Sequence, residues 1–306
     1  PGIPLPNRSG ITVQQLLDHV SGLPADAPLF PPGGLWTGFE PGRRWSYSNT
    51  GYDILGKLIE KVESRPLARA LQDRLFAPLG MRSSYGAITA DQRVRYAQGY
   101  EAADNIAPFV RGAALAPASW VDVTFAAGSV ASTAGDMVLL MRSLAAAARG
   151  QGGLGLQPAA ALAFARHAVA TDNPAMRYGN GLMHVTSGGR PMLHHTGGMV
   201  SFSSAFHLDP ASGIGAFASS SLTGLAGYRP RLLTAFAVEA LAAAAAGRPL
   251  PRPPALGARV EATKYAGAYA GPAGAFEVRA GATGGLVIVA DGREAALEAI
   301  GGEVFR

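Results

Sequence analysis

Pro41-Gly-Arg-Arg-Trp-Ser-Tyr47-Ser48-Asn49-Thr-Gly-Tyr52 is the stretch on which the reading of this chain turns. A Pro-Gly pair marks a turn, and a helix then starts near Asn49 with Tyr52, Leu55, Ile59 and Val62 on one apolar stripe. The phenol of Tyr47 therefore stands just ahead of a helix N-terminus, with an amide side chain two residues on. Taken alone, this has an ordinary explanation, a packed aromatic followed by Asn49 as N-cap. Chemical meaning comes only from what lies to either side.

Upstream runs Ile11-Thr-Val-Gln-Gln-Leu-Leu-Asp-His-Val-Ser-Gly-Leu-Pro24. It predicts a helix over Ile11–Ser21. Thr12 and Gln15 form a capping box, and Ile11 staples onto Leu16. Val13, Leu16, Leu17 and Val20 make the apolar face, and Gly22 and Pro24 are the stop. His19 and Ser21 cannot face each other as a dyad on a helix and read as structural. A Pro- and Gly-rich loop, Pro24 to Gly42, leads to the stretch quoted first. A third helix begins at Pro66, carries Leu67, Leu71 and Leu75, and closes at Pro78-Leu79-Gly80-Met81. After a weakly patterned surface stretch, Arg82 to Val123, another helix starts behind Thr133, with Asp136 at its third position and Met137, Leu140 and Leu144 inside.

Downstream of Pro174 the texture changes to short strands: Gly181–Thr186, Met192–His195, Val200–Leu208 and Ile214–Ser220. Asp209-Pro-Ala-Ser-Gly213 forms a hairpin loop. Neighbours on a strand face opposite ways, so His195 and His194 point to different sides. An Ala-rich helix, Tyr228–Ala246, ends at Gly247-Arg248-Pro249, and Pro249–Pro254 reads as a linker. Strands at Phe276–Val278 and Leu286–Val289 then make a small antiparallel β module. The expected organisation is one domain over 1–250 and a linker with a partial β module over 251–306. No internal repeat is visible.

Bulk properties remove several classes of function. With 306 residues, 48% hydrophobic and 15% charged, the chain is globular and long enough for a substantial core. Its 26 basic and 21 acidic residues give a net charge of +5, but the basic ones are scattered, so no nucleic-acid footprint is present. With no cysteine, disulfides and thiolate metal sites are excluded. The six histidines lack metal-ligand spacing, and no cofactor is implied. The most apolar run, Leu232–Ala246, contains Glu239 and is short of the ~20 residues of a membrane span. Gly51–Leu58 nearly spells a phosphate-binding loop, but has Leu58 where a hydroxyl should ligate magnesium. Gly150–Gly155 spells a dinucleotide fingerprint, but follows a helix; neither is accepted. A Gly-x-Ser-x-Gly elbow is absent. The chain opens on Pro1 without a start Met and closes on Phe305-Arg306 inside a hairpin-like segment, so both ends read as cut.

The Ile11–Pro24 helix, the Tyr47-Ser48-Asn49 segment and His194-His195-Thr196-Gly197-Gly198, in that order and separation, resemble the β-lactamase-related serine hydrolases. That group includes class C β-lactamases, penicillin-binding proteins, esterases and D-aminopeptidases. Phe76–Met81, Ser132–Asp136 and Tyr178-Gly-Asn-Gly181 add supporting matches, and the resemblance covers roughly residues 10 to 245. It implies a β-lactamase/transpeptidase-like α+β fold, with a helical region and an α/β region built on an antiparallel sheet. The opening part of that fold is missing here, and the small C-terminal β module resembles an appendage. It also implies hydrolysis of a small-molecule ester, amide or peptide through an acyl-enzyme, and export to the periplasm or beyond. Oligomeric state is left open.

Acyl transfer needs a nucleophilic hydroxyl, a base, and donors aimed at the tetrahedral oxyanion. By resemblance, Tyr47 serves in proton transfer, and Asn49 holds the substrate amide or a catalytic lysine. His195, Thr196 and Gly197 line the opposite wall on an edge strand, and the Gly198 N–H is one oxyanion donor. These residues should share one cleft. Trp36, Trp45 and Trp120 suit a pocket or the core equally. The departure from the family is its Ser-x-x-Lys motif: no serine here has lysine three residues later. The group's usual Asn after the last strand is Ser221. A non-catalytic binding or regulatory relative is therefore the alternative reading. The chain as it stands should give no burst with an activated ester and no adduct with a fluorophosphonate or β-lactam probe; a labelled serine found by mass spectrometry would reveal a nucleophile missed here.

Overall fold

The computed structural model of the chain describes residues 10–103, 114–199, 201–222, 229–253, 261–271, 274–281, 285–297, 299–301 and 304–305. Val200, Tyr228 and Pro254, which bound segments expected from the sequence, lie outside them.

Local chemistry sets the helical part. Helix α1 (Val13–Leu17) carries the expected capping box, with the Gln15 N–H on the Thr12 hydroxyl at 3.2 Å and the Thr12 N–H on Gln15 Oε1 at 2.9 Å. It is shorter than expected because the chain leaves helical geometry at His19, not at Gly22. Helix α2 (Asn49–Glu63) is capped by Ser48, whose hydroxyl accepts the Gly51 N–H at 3.0 Å. Asn49, the N-cap in the ordinary reading of this stretch, is instead the first helical residue. Leu16, Leu23, Leu35 and Ile54 form the core that joins α1 to α2.

The helix beginning after Pro66 divides into α3 (Leu67–Leu71), a π-helical turn (Gln72–Phe76) and α4 (Ala77–Leu79). Pro78 supplies the reason: it has no N–H to give to Arg74, and its ring would crowd that carbonyl in a regular α-helix. The wider turn just ahead accommodates the ring. Gly80 closes the segment at φ 75°. Next come the short hairpin strands β1 (Tyr100–Ala102) and β2 (Leu115–Pro117). Helix α5 (Ala134–Ala148) is capped by Thr133, whose side chain accepts the Asp136 N–H, and α6 (Pro158–Arg166) follows.

A six-stranded antiparallel sheet holds the second half of the fold, in the order β3 (Val169–Ala170), β4 (Met176–Gly179), β5 (Leu182–Ser187), β6 (Arg190–Met199), β7 (Phe202–Leu208) and β8 (Gly215–Ser220). Asn180 and Gly181, with φ of 50° and 81°, make the tight turn between β4 and β5, a sequence pair suited to two left-handed positions. Leu182, Leu193 and Leu208 pack on one face against Leu144, Ala145, Ala147, Ala148, Ala161 and Ala165 of α5 and α6. Helix α7 (Arg229–Ala245) packs on β7 and β8. It covers the other face: Thr234 bonds His207, whose strand neighbour Leu208 points toward α5 and α6. The Asp209–Gly213 loop forms as expected, with Asp209 Oδ1 accepting the N–H groups of Ala211 and Ser212.

After a single turn, α8 (Ala262–Tyr265), the strands β9 (Gly267–Gly271), β10 (Gly274–Ala280), β11 (Leu286–Ala290) and β12 (Arg293–Leu297) form a four-stranded antiparallel sheet. A last hairpin pairs β13 (Ala299–Gly301) with β14 (Val304–Phe305).

The rejected phosphate-loop match lies within and across α2, and packing explains one of its glycines. A Cβ at Gly56 would sit 2.4 Å from the Ala126 Cβ and 3.2 Å from Leu67. Gly56→Ala should therefore destabilise the fold by about 1–3 kcal/mol despite alanine's better helix propensity. Urea unfolding checks this, and a neutral or stabilising result would show that the segment carrying Ala126 can retreat.

Candidate functional site

Helix α1 ends in a Schellman motif. The Val20 N–H reaches the Gln15 carbonyl at 3.0 Å and the His19 N–H reaches the Leu16 carbonyl at 3.3 Å. The left-handed position of that motif is normally glycine. Here it is His19, at φ 57°. A non-glycine residue there costs about 1–2 kcal/mol, so something must hold it. The turn drives the imidazole inward, leaving it 1% exposed. Its ring centroid lies 4.1 Å from that of Tyr47, 4.6 Å from Tyr178 and 4.9 Å from Tyr52, with Trp45 edge-on at 6.2 Å.

His19 fixes the segment that carries Tyr47. Its carbonyl accepts the Ser46 N–H at 2.8 Å, and its Nδ1 accepts the Ser48 N–H at 3.1 Å. Tyr47 is thus bracketed on both sides by bonds to one residue. On its far side, His19 Nε2 is 3.1 Å from the Tyr178 hydroxyl, which is itself 3.2 Å from His195 Nε2. His195 Nδ1 lies 2.7 Å from the Thr196 carbonyl. The rings of Tyr47 and His195 are 6.3 Å apart.

The expected site residues are placed unequally. Tyr47 and His195 come together across the joint between helical part and sheet. Asn49, at the start of α2, gives its amide N–H to Asp26 Oδ1 at 2.7 Å. Strand β6 is internal to the sheet as a whole, but its pairing with β5 stops at His194, and residues 195–199 pair with β7 alone. That half is an edge. The regular register puts Thr196 on the face of His194, opposite His195, and it meets the cluster through its carbonyl. At Gly197 an added Cβ would lie 2.6 Å from Ser204 Oγ, so that hydroxyl would have to turn away, and Gly198 pairs with Ser203. His19 and Tyr178 are the cluster members that sequence reasoning missed. The available signal was the lack of glycine at the true helix stop.

Burial keeps the imidazoles and phenols of the cluster neutral. Burial, and then the neighbouring His195, hold the His19 pKa down at about 3. Burial also lowers His195, partly offset by its bond to the Thr196 carbonyl. Tyr52 and Tyr178 are both pushed up by burial, so each remains a phenol. On the other face of the sheet, His194 stacks on His207 with centroids 3.9 Å apart. His194 bonds the Phe206 carbonyl at 2.6 Å and His207 bonds Thr234 Oγ1 at 2.9 Å. Burial is the main cause lowering His194 to about 4 and His207 to about 3.

Beyond the open end of β6 lies a pocket of about 140 Å³, walled by Ile88, Tyr96, Trp120, Val123, Met199 and Phe202. Of the tryptophans, Trp120 serves this pocket, Trp45 belongs to the His19 cluster, and Trp36 is exposed. Among the described residues no group of three or more His, Cys, Asp or Glu could hold a metal, and no helix is long and apolar enough to cross a membrane.

The sequence matches the family model described as Beta-lactamase over residues 2–241. It is similar to penicillin-binding protein 4* of Bacillus subtilis (strain 168), 33% identical over 122 residues, which is 33% of this chain and 26% of that protein. The matched region thus spans about a quarter of that relative's length. Among solved structures it is similar to a D-stereospecific amidohydrolase from Streptomyces sp., with TM-score 0.55 and 26% identity over 72% of this chain and 71% of that one. The octameric penicillin-binding protein homologue from Pyrococcus abyssi shares the fold, with TM-score 0.63 and 20% identity over 95% of this chain and 69% of that one.

The buried imidazoles set an acid limit on stability. Each has a folded pKa below the unfolded value of about 6.5, so below that pH the unfolded chain binds more protons. Stability from His19, His194 and His207 is complete above pH 6.5 and is lost as pH falls toward 3–4. Each contributes a slope of up to ~1.4 kcal/mol per pH unit. His207→Gln should remove about one such proton from the slope, read from urea unfolding between pH 7 and 4.5. An unchanged slope would mean that His207 does not take up a proton on unfolding.

Proposed function

The chain belongs to the Beta-lactamase family and has its transpeptidase-like α+β fold, and on that premise we propose that it carries two walls of a serine hydrolase active site. The supporting observation is the approach of Tyr47 to His195, ring centroids 6.3 Å apart, from segments distant in sequence and on different elements. In this reading Tyr47 moves the proton of a serine nucleophile, and Asn49 orients the substrate amide or the activating lysine. The open half of β6 forms the facing wall with His195, Thr196 and Gly197, and the Gly198 N–H points at the oxyanion. The nucleophile comes from a Ser-x-x-Lys helix that this sequence does not contain.

The substrate is an ester or amide in which a carboxylate is not obligatory. Burial keeps His195 neutral, so it is not the permanent cation that a lysine would be at the same place. The 140 Å³ pocket at the end of β6 has the volume of a phenyl-sized substituent, and its lining joins Tyr96, Trp120 and Phe202 to the polar side chains of Arg93, Gln98 and Ser119. The name of the Streptomyces amidohydrolase supports the amide class. Residues 1–250 would act as the catalytic part, outside the cytoplasm, with 251–306 as an appendage.

The test uses the chain joined to an upstream segment bearing Ser-x-x-Lys. Tyr47→Phe should lower kcat by about 100-fold or more with little change in KM. His195→Lys should raise kcat/KM for a cephalosporin relative to p-nitrophenyl acetate by about fivefold, or ~1 kcal/mol. A Tyr47→Phe enzyme within twofold of wild type overturns the site. A wild type that already prefers the cephalosporin overturns the substrate reading.

A further inference from the structure

Backbone groups that can only donate or only accept set the proton positions on the two imidazoles of the cluster. The Ser48 backbone N–H can only donate, so His19 Nδ1 accepts at 3.1 Å, and the single proton of the neutral ring is on Nε2. That N–H faces the Tyr178 oxygen at 3.1 Å and donates to it. At the other end the Thr196 carbonyl can only accept, so His195 carries its proton on Nδ1, 2.7 Å away. His195 Nε2 is then a lone pair, 3.2 Å from the Tyr178 hydroxyl. Tyr178 has one O–H, and His195 Nε2 is where it completes the chain. Tyr52 is also hydrogen-bonded to Tyr178 and directs its own O–H to the Leu17 carbonyl at 2.9 Å, so its oxygen is a second acceptor for the Tyr178 O–H. The imidazole lone pair of His195 is the stronger base of the two and accepts that O–H.

We infer that Tyr178 is a positioning residue that, together with the Thr196 carbonyl, holds His195 in the Nδ1–H tautomer with both ring nitrogens bonded inside the protein, so that His195 offers a substrate carboxylate neither a charge nor an N–H. The inference rests on the reading of His195 as a site wall and names the residue that sets its chemistry. The two histidines are opposite tautomers, His19 protonated on Nε2 and His195 on Nδ1, and the phenol between them passes the polarity from one to the other. Tyr178 is 1% exposed and located at the end of β4, beside the stretch where β6 loses its partner β5. Its ring lies 5.9 Å from that of His195 and 6.2 Å from that of Tyr47, so one side chain orders both walls.

The experiment is long-range ¹H–¹⁵N correlation NMR of the histidine rings in this chain at pH 7.5, with assignments from single His→Gln variants. Wild type should show His19 as a pure Nε2–H ring and His195 as a pure Nδ1–H ring. Tyr178→Phe keeps the ring and deletes only the hydroxyl. It should turn His195 into a mixture of tautomers and raise its titration midpoint, while Tyr52→Phe should leave His195 as in wild type. A His195 protonated on Nε2 in wild type overturns the inference, as does a Tyr178→Phe spectrum identical to wild type. Loss of the single tautomer in Tyr52→Phe alone would transfer the role to Tyr52 and overturn it as well. The wild-type measurement stands even if a variant fails to fold. No turnover is required, so failure here leaves the pairing of Tyr47 with His195 intact, whereas an inactive parent with these tautomers intact would remove only the hydrolase reading.

Discussion

A buried imidazole in a left-handed turn is the constraint on which this structure depends. His19 occupies the position where a helix normally ends in glycine, and its ring is enclosed by Tyr47, Tyr52, Tyr178 and Trp45. An unpartnered ring nitrogen in that place would cost about 1–3 kcal/mol, on top of the backbone penalty. Both nitrogens are therefore answered, one by the start of α2 and the other by the end of β4. Asp18, the preceding residue, makes the same connection a second time. Its buried carboxylate accepts from Gln14, His167 and the Asn180 N–H, at 3.0, 2.8 and 3.3 Å. Two adjacent residues at the end of a five-residue helix thus tie the helical part to the Tyr178–Gly181 turn.

The sheet contributes an asymmetry of length. Strand β6 has ten residues, but β5 covers only Arg190–His194, and beyond that point one edge is open. An open edge inside a protein is normally a liability, because its N–H and C=O groups need partners. Here Tyr178 stands over the first residue of the open half and Met199 leads into the pocket. The edge is therefore short and flanked by aromatic groups, and in the proposed function its free N–H and C=O groups face the substrate.

Much of the fold was legible because its signals are local. The Thr12–Gln15 box, the Thr133 cap and the Asp209–Gly213 loop each satisfy backbone groups within five residues, and such chemistry can be read from a sequence. Two boundaries were not legible. The stop of α1 at His19 violates the glycine preference, and the π turn before Pro78 is one of several ways to absorb a proline. The choice of Ser48 over Asn49 as cap is a contest between two good cappers one residue apart. As for the site, Tyr47 and His195 were named from motif order, and their rings are neighbours. His19 reads as structural from the sequence because it cannot form a dyad with Ser21 on a helix, and its tie to Tyr178, 159 residues away, has no local pattern to announce it. Thr196 was grouped with His195 by motif, but alternation along β6 sends its side chain to the other face.

The arrangement divides labour between charge and dipole. His19 and His195 bracket one phenol, and protonating either would place a cation beside the other in a buried cluster. Both stay neutral, so this part of the protein offers the proposed reaction fixed dipoles: backbone N–H groups on β6, a phenol, and two imidazoles of set tautomer. Fixed dipoles stabilise a developing oxyanion without the reorganisation that water would need. They do little for a full negative charge that is already present in the ground state, such as a substrate carboxylate. In the proposed reading the cation is the Ser-x-x-Lys lysine, placed next to the nucleophile where the charge develops. Tyr47, whose neighbours Ser46 and Ser48 are bonded to His19 and whose ring faces His195, is in that reading the group such a lysine would tune. In that reading the imidazoles and phenols beside the reacting oxygen are neutral, the buried Asp18 carboxylate lies behind them, and a single nearby cation acts where the negative charge develops.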